Sequence, residues 1–225
     1  MNMDVRNALL PAAAYVPAEI FPPAANRVKR VIDVVLCFLA LPAILVVGIP
    51  IALLIVLDGG GPFFMQTRVG RGGNRFHCLK FRTMVPHAER ELQRILDSDP
   101  SARAEWERDF KLKNDPRVTR IGRFLRKTSL DELPQFLNVL AGEMSIVGPR
   151  PVTRQELNLY GDNAQLYLAC TPGITGLWQV SGRNDVSYAN RVALDVRYVL
   201  TWTPLQDVKI MFRTLPAMLS RRGAY

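Results

Sequence analysis

From Val34 to Leu57 the chain carries no charged residue, and nearly every position is apolar. As a straight helix rising about 1.5 Å per residue, this run is long enough to cross a hydrocarbon core of about 30 Å. Pro42, Gly48 and Pro50 interrupt it, and each proline removes a backbone donor and bends a helix. The pieces on either side, Val34–Leu41 and Ile51–Leu57, are each too short to span. Arg27, Lys29 and Arg30 precede the run; Arg68, Arg71, Arg75, Lys80 and Arg82 follow it, with no acid between Asp58 and Glu89. Cations on both flanks place both flanks on the same, cytoplasmic side. The expectation for 27–58 is a re-entrant helix that enters one leaflet, bends and returns. A single spanning helix and a buried soluble helix are the alternatives.

Beyond Gly59-Gly60-Gly61-Pro62 the period changes. Phe63–Val69 and Arg75–Met84 are strand-like and flank Gly70-Arg71-Gly72-Gly73-Asn74, which predicts a hairpin. No GK[ST] follows those glycines, so a tight turn is favoured over a phosphate cradle. Pro86 opens a helical pattern to about Asp97, and Asp99-Pro100 opens another to about Leu112, both charged with a sparse apolar face. Leu205, Val208, Met211, Phe212, Leu215 and Leu219 recur at helical spacing near Lys209, Arg213, Arg221 and Arg222. That helix either packs on the core or lies in a membrane interface. Residues 1–26, with Pro11, Pro17, Pro22 and Pro23 among alanines, read as a disordered tail.

The formal net charge of +9 calls for an anionic partner. Cys37, Cys78 and Cys170 cannot all pair and form no CxxC, which argues against a disulfide framework. With only His77 and His87, a histidine metal site or a Ser-His-Asp triad is not expected; any metal would be a hard, oxygen-bound ion such as Mg²⁺.

The candidate chemistry lies in Thr128–Pro151, TSLDELPQFLNVLAGEMSIVGPRP. Asp131 and Glu132 are adjacent, with Arg126 and Lys127 upstream and Arg150 downstream. One reading is purely structural. Ser129 with Glu132 forms a capping box, or Asp131 is itself the N-cap, and Leu133, Phe136, Leu137 and Leu140 form the buried stripe. The other reading is chemical. A carboxylate in the positive field of a helix start stays ionised beside a phosphate and is a competent nucleophile toward phosphorus. Lys80, Arg82, Arg126, Lys127 and Arg150 are candidates to mask the charge of a diphosphate together with Mg²⁺. The loops Gly148-Pro149-Arg150-Pro151, Thr171–Gly176 and Ser181-Gly182-Arg183-Asn184 are connecting turns or site-forming loops.

From Lys29 onward these segments resemble the bacterial sugar transferases, monotopic polyprenyl-phosphate hexose-1-phosphate transferases. The matching stretches are KRVID at 29–33, KFRTM at 80–84, DPRVTRIGRFLRKTSLDELPQFLNVL at 115–140, GEMSIVGPRP at 142–151, PGITGLWQVSGRN at 172–184 and LDVRYV around Asp195. This short form, ending RRGAY, looks most like the exopolysaccharide enzymes that transfer galactose phosphate. The proline that relatives carry near mid-run falls near Val46, with Pro42 and Pro50 a turn to either side; the arginine common before the third loop's Pro-Gly is Thr171.

The resemblance implies transfer of a sugar-1-phosphate from a UDP-sugar to undecaprenyl phosphate, with release of UMP. Asp131 would be the nucleophile and would form a covalent phosphosugar intermediate. Glu132 would bind Mg²⁺ or handle protons, and Arg126 and Arg150 would contact phosphates or uridine. It also implies an α+β, mainly helical fold: a monotopic membrane protein with a re-entrant helix at 27–58. A cytosolic catalytic domain with interfacial amphipathic helices would fill 59–225, at the cytoplasmic face of the bacterial inner membrane. The rivals are direct attack by the lipid phosphate with Asp131 only a metal ligand, and a basic membrane- or anion-binding protein without turnover. Nucleic acid is not expected, since no binding motif accompanies the charge. The oligomeric state is open, a homodimer included.

Overall fold

The computed structural model describes residues 27–109, 112, 114–182 and 187–219. The expected tail at 1–26, Phe110, the Arg183-Asn184 part of the third loop, and Arg221 and Arg222 lie outside them, as do the side chains of Leu215 and Leu219.

The chain is mainly helical with two small sheets. Helix α1 spans Arg27–Leu57 and runs through both Pro42 and Pro50. The sequence pattern breaks this run into short pieces; the structure keeps it as one helix. Its fully buried residues are Lys29, Asp33, Cys37, Gly48, Ile51 and Ile55, spaced three or four apart at each end and so confined to one stripe. Packing along that stripe holds the helix through two positions that lack a backbone donor. By length and composition α1 is sufficient to cross a membrane.

Strands β1 (Phe63–Val69) and β2 (Arg75–Phe81) form the expected antiparallel hairpin, in register from Phe63 opposite Phe81 to Val69 opposite Arg75. A 3-10 turn at Arg71–Gly73 closes it, with Gly72 and Gly73 in the left-handed region at φ 67° and 82°. Strand β2 ends earlier than expected, and Met84 instead forms an isolated bridge with Val118. Helices α2 (Ala88–Ser98) and α3 (Pro100–Asp109) follow. Helix α4 (Arg120–Thr128) is capped by Thr119, whose hydroxyl accepts from the Gly122 amide at 2.9 Å.

Helix α5 runs from Gln135 to Ala141 and stops at Gly142, in the left-handed conformation. Strands β3 (Ser145–Val147) and β4 (Gly173–Thr175) pair in parallel. Gly148, just after β3, lies close against the start of β4, and a Cβ on Gly173 would lie 2.1 Å from the Gly148 nitrogen. Helices α6 (Arg154–Asn158), α7 (Ala164–Leu168), α8 (Tyr188–Leu200) and α9 (Pro204–Leu219) complete the body.

Polar contacts fix α1 to this body. Lys29 pairs with Asp207 of α9, Arg30 donates to the Val139 and Leu140 carbonyls, and Asp33 accepts from the Ser145 hydroxyl and the Ile146 amide. Near the other end, Ile51 and Ile55 pack with Phe81 and Leu125.

Candidate active site

The turn that carries the acidic pair is not a helix cap. Ser129 ends α4 in the left-handed region at φ 56° and its side chain makes no capping hydrogen bond. Leu130–Glu132 form a 3-10 turn, and α5 begins only at Gln135 behind Pro134. Neither proposed cap forms, because Leu130 and Leu133 pack into the cluster of Ile51, Ile55, Phe81 and Leu125 and draw the turn inward. Helix α5 is rotated accordingly. Phe136 and Leu140 do pack on the core, but Leu137 is 52 % exposed, while Gln135, Asn138 and Val139 are buried.

Buried Asn138 sets the distance between the acids and the hairpin. Its Oδ1 accepts from the Leu79 amide at 2.9 Å, and its Nδ2 donates to the His77 carbonyl at 2.8 Å. The free edge of β2 is thereby paired, and Lys80 is held opposite the acidic turn. Lys80 Nζ donates to Glu132 Oε1 at 2.7 Å and lies 3.8 Å from Asp131 Oδ2. Arg150 Nη1 is 3.8 Å from the same Glu132 oxygen. A cleft lined by Arg68, Cys78, Lys80, Glu132, Gln135, Arg150, Pro151 and Ile174 opens here.

Lys80, Asp131, Glu132 and Arg150 thus share one site. Arg126 lies beside it: Nε donates to the Thr83 hydroxyl at 2.9 Å, and its charge acts on Asp131. Arg82 is turned elsewhere, with Nη2 donating at 2.8 Å to the Ile55 carbonyl. That carbonyl, in the last turn of α1, also accepts from the Asp58 amide at 3.1 Å, and the Arg82 bond ties the end of α1 to the hairpin.

The two carboxyls sit in different electrostatic surroundings. Burial raises Asp131 above the ordinary carboxylate value; Lys80 and Arg126 oppose this and the Glu132 charge adds to it. Burial also acts against ionisation of Glu132, but Lys80, Arg150 and hydrogen bonds from Lys80 and Gln135 outweigh it and hold Glu132 low. Glu132 is a fixed anion; among the described residues Asp131 has no cation within hydrogen-bond distance, and it is the more basic oxygen donor. Cys78 lines the same cleft, but burial pushes its thiol up, which removes it as a competing thiolate nucleophile.

Sequence reasoning missed Arg68, Gln135, Asn138 and Trp178. Arg68 Nη1 bonds Glu156 at 2.7 Å and the Pro151 carbonyl at 3.1 Å, bracing the loop that presents Arg150. The signal for Gln135 and Asn138 was their presence as polar residues within an apolar run. Trp178 is buried, with the Arg150 guanidinium over its ring.

Among the described residues no group of three or more His, Cys, Asp or Glu side chains is arranged to hold a metal. Two adjacent carboxylates are nonetheless a donor set that suits Mg²⁺ when substrate phosphates and water supply the remaining oxygens.

Comparison with known proteins matches this frame throughout. A protein of Sinorhizobium fredii named exopolysaccharide production protein ExoY is 50 % identical over 220 residues, covering 95 % of this chain and 96 % of that one. The UDP-galactose-lipid carrier transferase of Erwinia amylovora is 52 % identical, and the undecaprenyl-phosphate galactose phosphotransferase of Salmonella typhimurium 51 %, each over 201 residues. Those two alignments cover 88 % of this chain but only 41 % of the relatives' length. The family model described as bacterial sugar transferase matches residues 24–221. With its acidic turn, its lysine and its arginine loop inside that match, the chain belongs to the bacterial sugar transferase family.

Proposed function

We propose that the protein transfers a sugar-1-phosphate, galactose-1-phosphate in the first instance, from a UDP-sugar to undecaprenyl phosphate in exopolysaccharide synthesis. The observation that carries this reading is the unequal pair: Glu132 is bonded to Lys80 at 2.7 Å, whereas Asp131 stands 3.8 Å from it and, among the described residues, faces no closer cation. Two carboxyls whose surroundings push them apart divide the labour. The ionised Asp131 oxygen attacks the phosphorus that bears the sugar, and the bond to UMP breaks with its electron pair leaving on UMP. An oxygen of the lipid phosphate then attacks the same phosphorus, and the Asp131 carboxylate is regenerated. Lys80 and Arg150 offset the negative charge of the phosphoryl oxygens. Asp131 and Glu132 would hold Mg²⁺, which when bound neutralises diphosphate charge.

The packing of α1 supports a helix immersed in one leaflet. Lys29, Asp33 and Cys37 near one end and Gly48, Ile51 and Ile55 near the other are buried against the same body. Residues 38–47 between them are about 15 Å of helix, half the thickness of a hydrocarbon core. They expose Phe38, Leu39, Leu45, Val46 and Val47. Leu205, Val208 and Phe212 of α9 are exposed as well, in keeping with an interfacial helix at the cytoplasmic face.

The test uses UDP-galactose labelled in the sugar-bearing phosphate, without lipid acceptor. Label retained on denatured wild-type protein and absent from Asp131→Asn is the expected result. UMP release that occurs only with undecaprenyl phosphate, with no labelled protein, would establish direct displacement instead.

A further inference from the structure

Tyr167 of α7 joins the two segments that carry the arginines of the cleft. Arg68 is followed by Val69, the last residue of β1, and Arg150 by Pro151 and Val152. Val69 and Val152 form an isolated antiparallel bridge, in which the Val69 amide donates to the Val152 carbonyl at 2.9 Å. Two residues paired in this way ordinarily exchange a second, reciprocal backbone bond. Here a side chain closes the return. The Val152 amide donates to the Tyr167 hydroxyl at 3.2 Å, and that hydroxyl donates to the Val69 carbonyl at 2.8 Å.

The inserted hydroxyl is held in place by its surroundings. Tyr167 is 2 % exposed and shares a core cluster with Val69, Val152, Tyr160 and Val192. The Tyr160 ring meets the Tyr167 ring edge-on, with centroids 5.3 Å apart. Burial raises the Tyr167 hydroxyl above the ordinary phenol value, so it stays protonated and keeps both bonds. Val69 and Val152 are buried as well, and without the hydroxyl a buried amide and carbonyl would have to find each other by a shift of the bridge. Arg150 depends on that backbone. Its Nη1 is 3.8 Å from Glu132 Oε1, beyond hydrogen-bond distance, so the loop that carries it and the Trp178 ring beneath it set where it stands.

We infer that Tyr167 is a positioning residue for the transfer: its hydroxyl, spanning the Val69–Val152 bridge, fixes the loop that presents Arg150 to the phosphate of the substrate. The inference rests on the cleft being the site of sugar-phosphate transfer. Tyr167 touches no reacting atom; it acts through the backbone of Val152, two residues beyond Arg150.

The experiment is a double-mutant cycle on the full chain in detergent. It compares wild type, Tyr167→Phe, Arg150→Ala and the double variant, with Val192→Ala as a control. Tyr167→Phe keeps the ring and its packing and removes only the hydroxyl. UMP release from UDP-galactose with undecaprenyl phosphate gives kcat/KM. Calorimetric titration of UDP with Mg²⁺ carries the cycle where turnover falls below detection. Misplacing a substrate-binding group by about an ångström costs up to about a hundredfold, so Tyr167→Phe should lower kcat/KM by about ten- to a hundredfold. In the Arg150→Ala background the same change should cost less than about threefold, because the group it positions is gone. Val192→Ala trims the same core from α8 and removes no polar group. It should lower the melting temperature and keep kcat/KM within about twofold of wild type. Three results would overturn the role while leaving the transfer reaction intact: equal losses from Tyr167→Phe in both backgrounds, a Tyr167→Phe protein within twofold of wild type, or a loss in Val192→Ala that matches it. A wild-type protein that releases no UMP from any UDP-sugar would instead overturn the reading on which the role rests.

Discussion

Lys29, in the first turn of α1, meets Asp207 of α9 at 2.6 Å although 178 positions separate them in the chain. Both side chains are nearly inaccessible, at 6 % and 11 % exposure. Asp207 also accepts from the Tyr198 hydroxyl at 2.7 Å and the Trp202 indole at 3.1 Å. The anion is therefore fully surrounded, and the cation is the element that α1 contributes. Removing it leaves a buried charge without its counterion, which costs about 3–5 kcal/mol. Lys29→Met should lower the melting temperature in detergent strongly. Asp207→Asn in the Lys29→Met background should add much less than Asp207→Asn alone, a non-additivity that thermal unfolding of all four proteins measures.

The acid limb of activity should report Asp131. Its carboxyl is raised by burial and by Glu132 and lowered by Lys80, and in the proposed reaction only its ionised form attacks phosphorus. Activity with UDP-galactose should therefore rise with pH through a midpoint above the ordinary aspartate value of about 3.9. Glu132→Gln removes a negative neighbour and should move that midpoint down, on a lower maximum. Lys80→Met removes the opposing cation and should move it up, with activity at pH 7 reduced about 100-fold or more. Midpoints from kcat/KM profiles that move the other way would separate the limb from Asp131.

What the sequence made legible follows from local physics. The hairpin was readable because two strand-like stretches flank glycines that must adopt positive φ, as Gly72 and Gly73 do. The apolar run was readable as a helix, but not that it continues through Pro42 and Pro50, because the packing that stabilises it comes from residues far along the chain. The acidic pair was located, yet its turn was misread as a cap. Ser129 has the residue type of an N-cap, and the choice against it was made by Leu130 and Leu133 entering a core with Ile55 and Leu125. Asn138 could not be recognised as buried until Leu79 and His77 were known to lie beside it. The β3–β4 pair escaped notice because three-residue strands carry no readable period.

Asp195 predicts a pH dependence of stability. It is 2 % exposed, its Oδ2 accepts from the Tyr160 hydroxyl at 2.8 Å, and its Oδ1 is buried without a partner. Burial raises its carboxyl to about 7, against the Tyr160 hydrogen bond and the Arg150 charge. The folded protein thus keeps a proton that the unfolded chain releases at about 3.9. The stabilisation is complete below that value and is lost as pH rises to about 7, by on the order of 4 kcal/mol in total. Asp195→Asn cannot ionise, so its melting temperature relative to wild type should be higher at pH 8 than at pH 5. An equal difference at both values would exclude this role.

Gly122 predicts how closely the acidic turn depends on α4. A Cβ at this position would lie 2.0 Å from the Thr83 carbonyl oxygen and 2.6 Å from its carbon, and backbone atoms cannot rotate aside as a side chain can. The same contact carries the Thr119 amide to Thr83 hydrogen bond at 3.1 Å and the Arg126 to Thr83 bond at 2.9 Å. Gly122→Ala must lift α4 from the end of the hairpin, and α4 leads directly into Ser129 and Asp131. Overpacking of this kind costs about 1–3 kcal/mol, and here it also moves the proposed nucleophile, Asp131, away from Lys80. Gly61→Ala, where a Cβ meets nothing within 4 Å, should stay within about 0.5 kcal/mol of wild type. Melting temperature and UMP release measured on both variants check the expectation: Gly122→Ala should lose stability and turnover together, and Gly61→Ala neither.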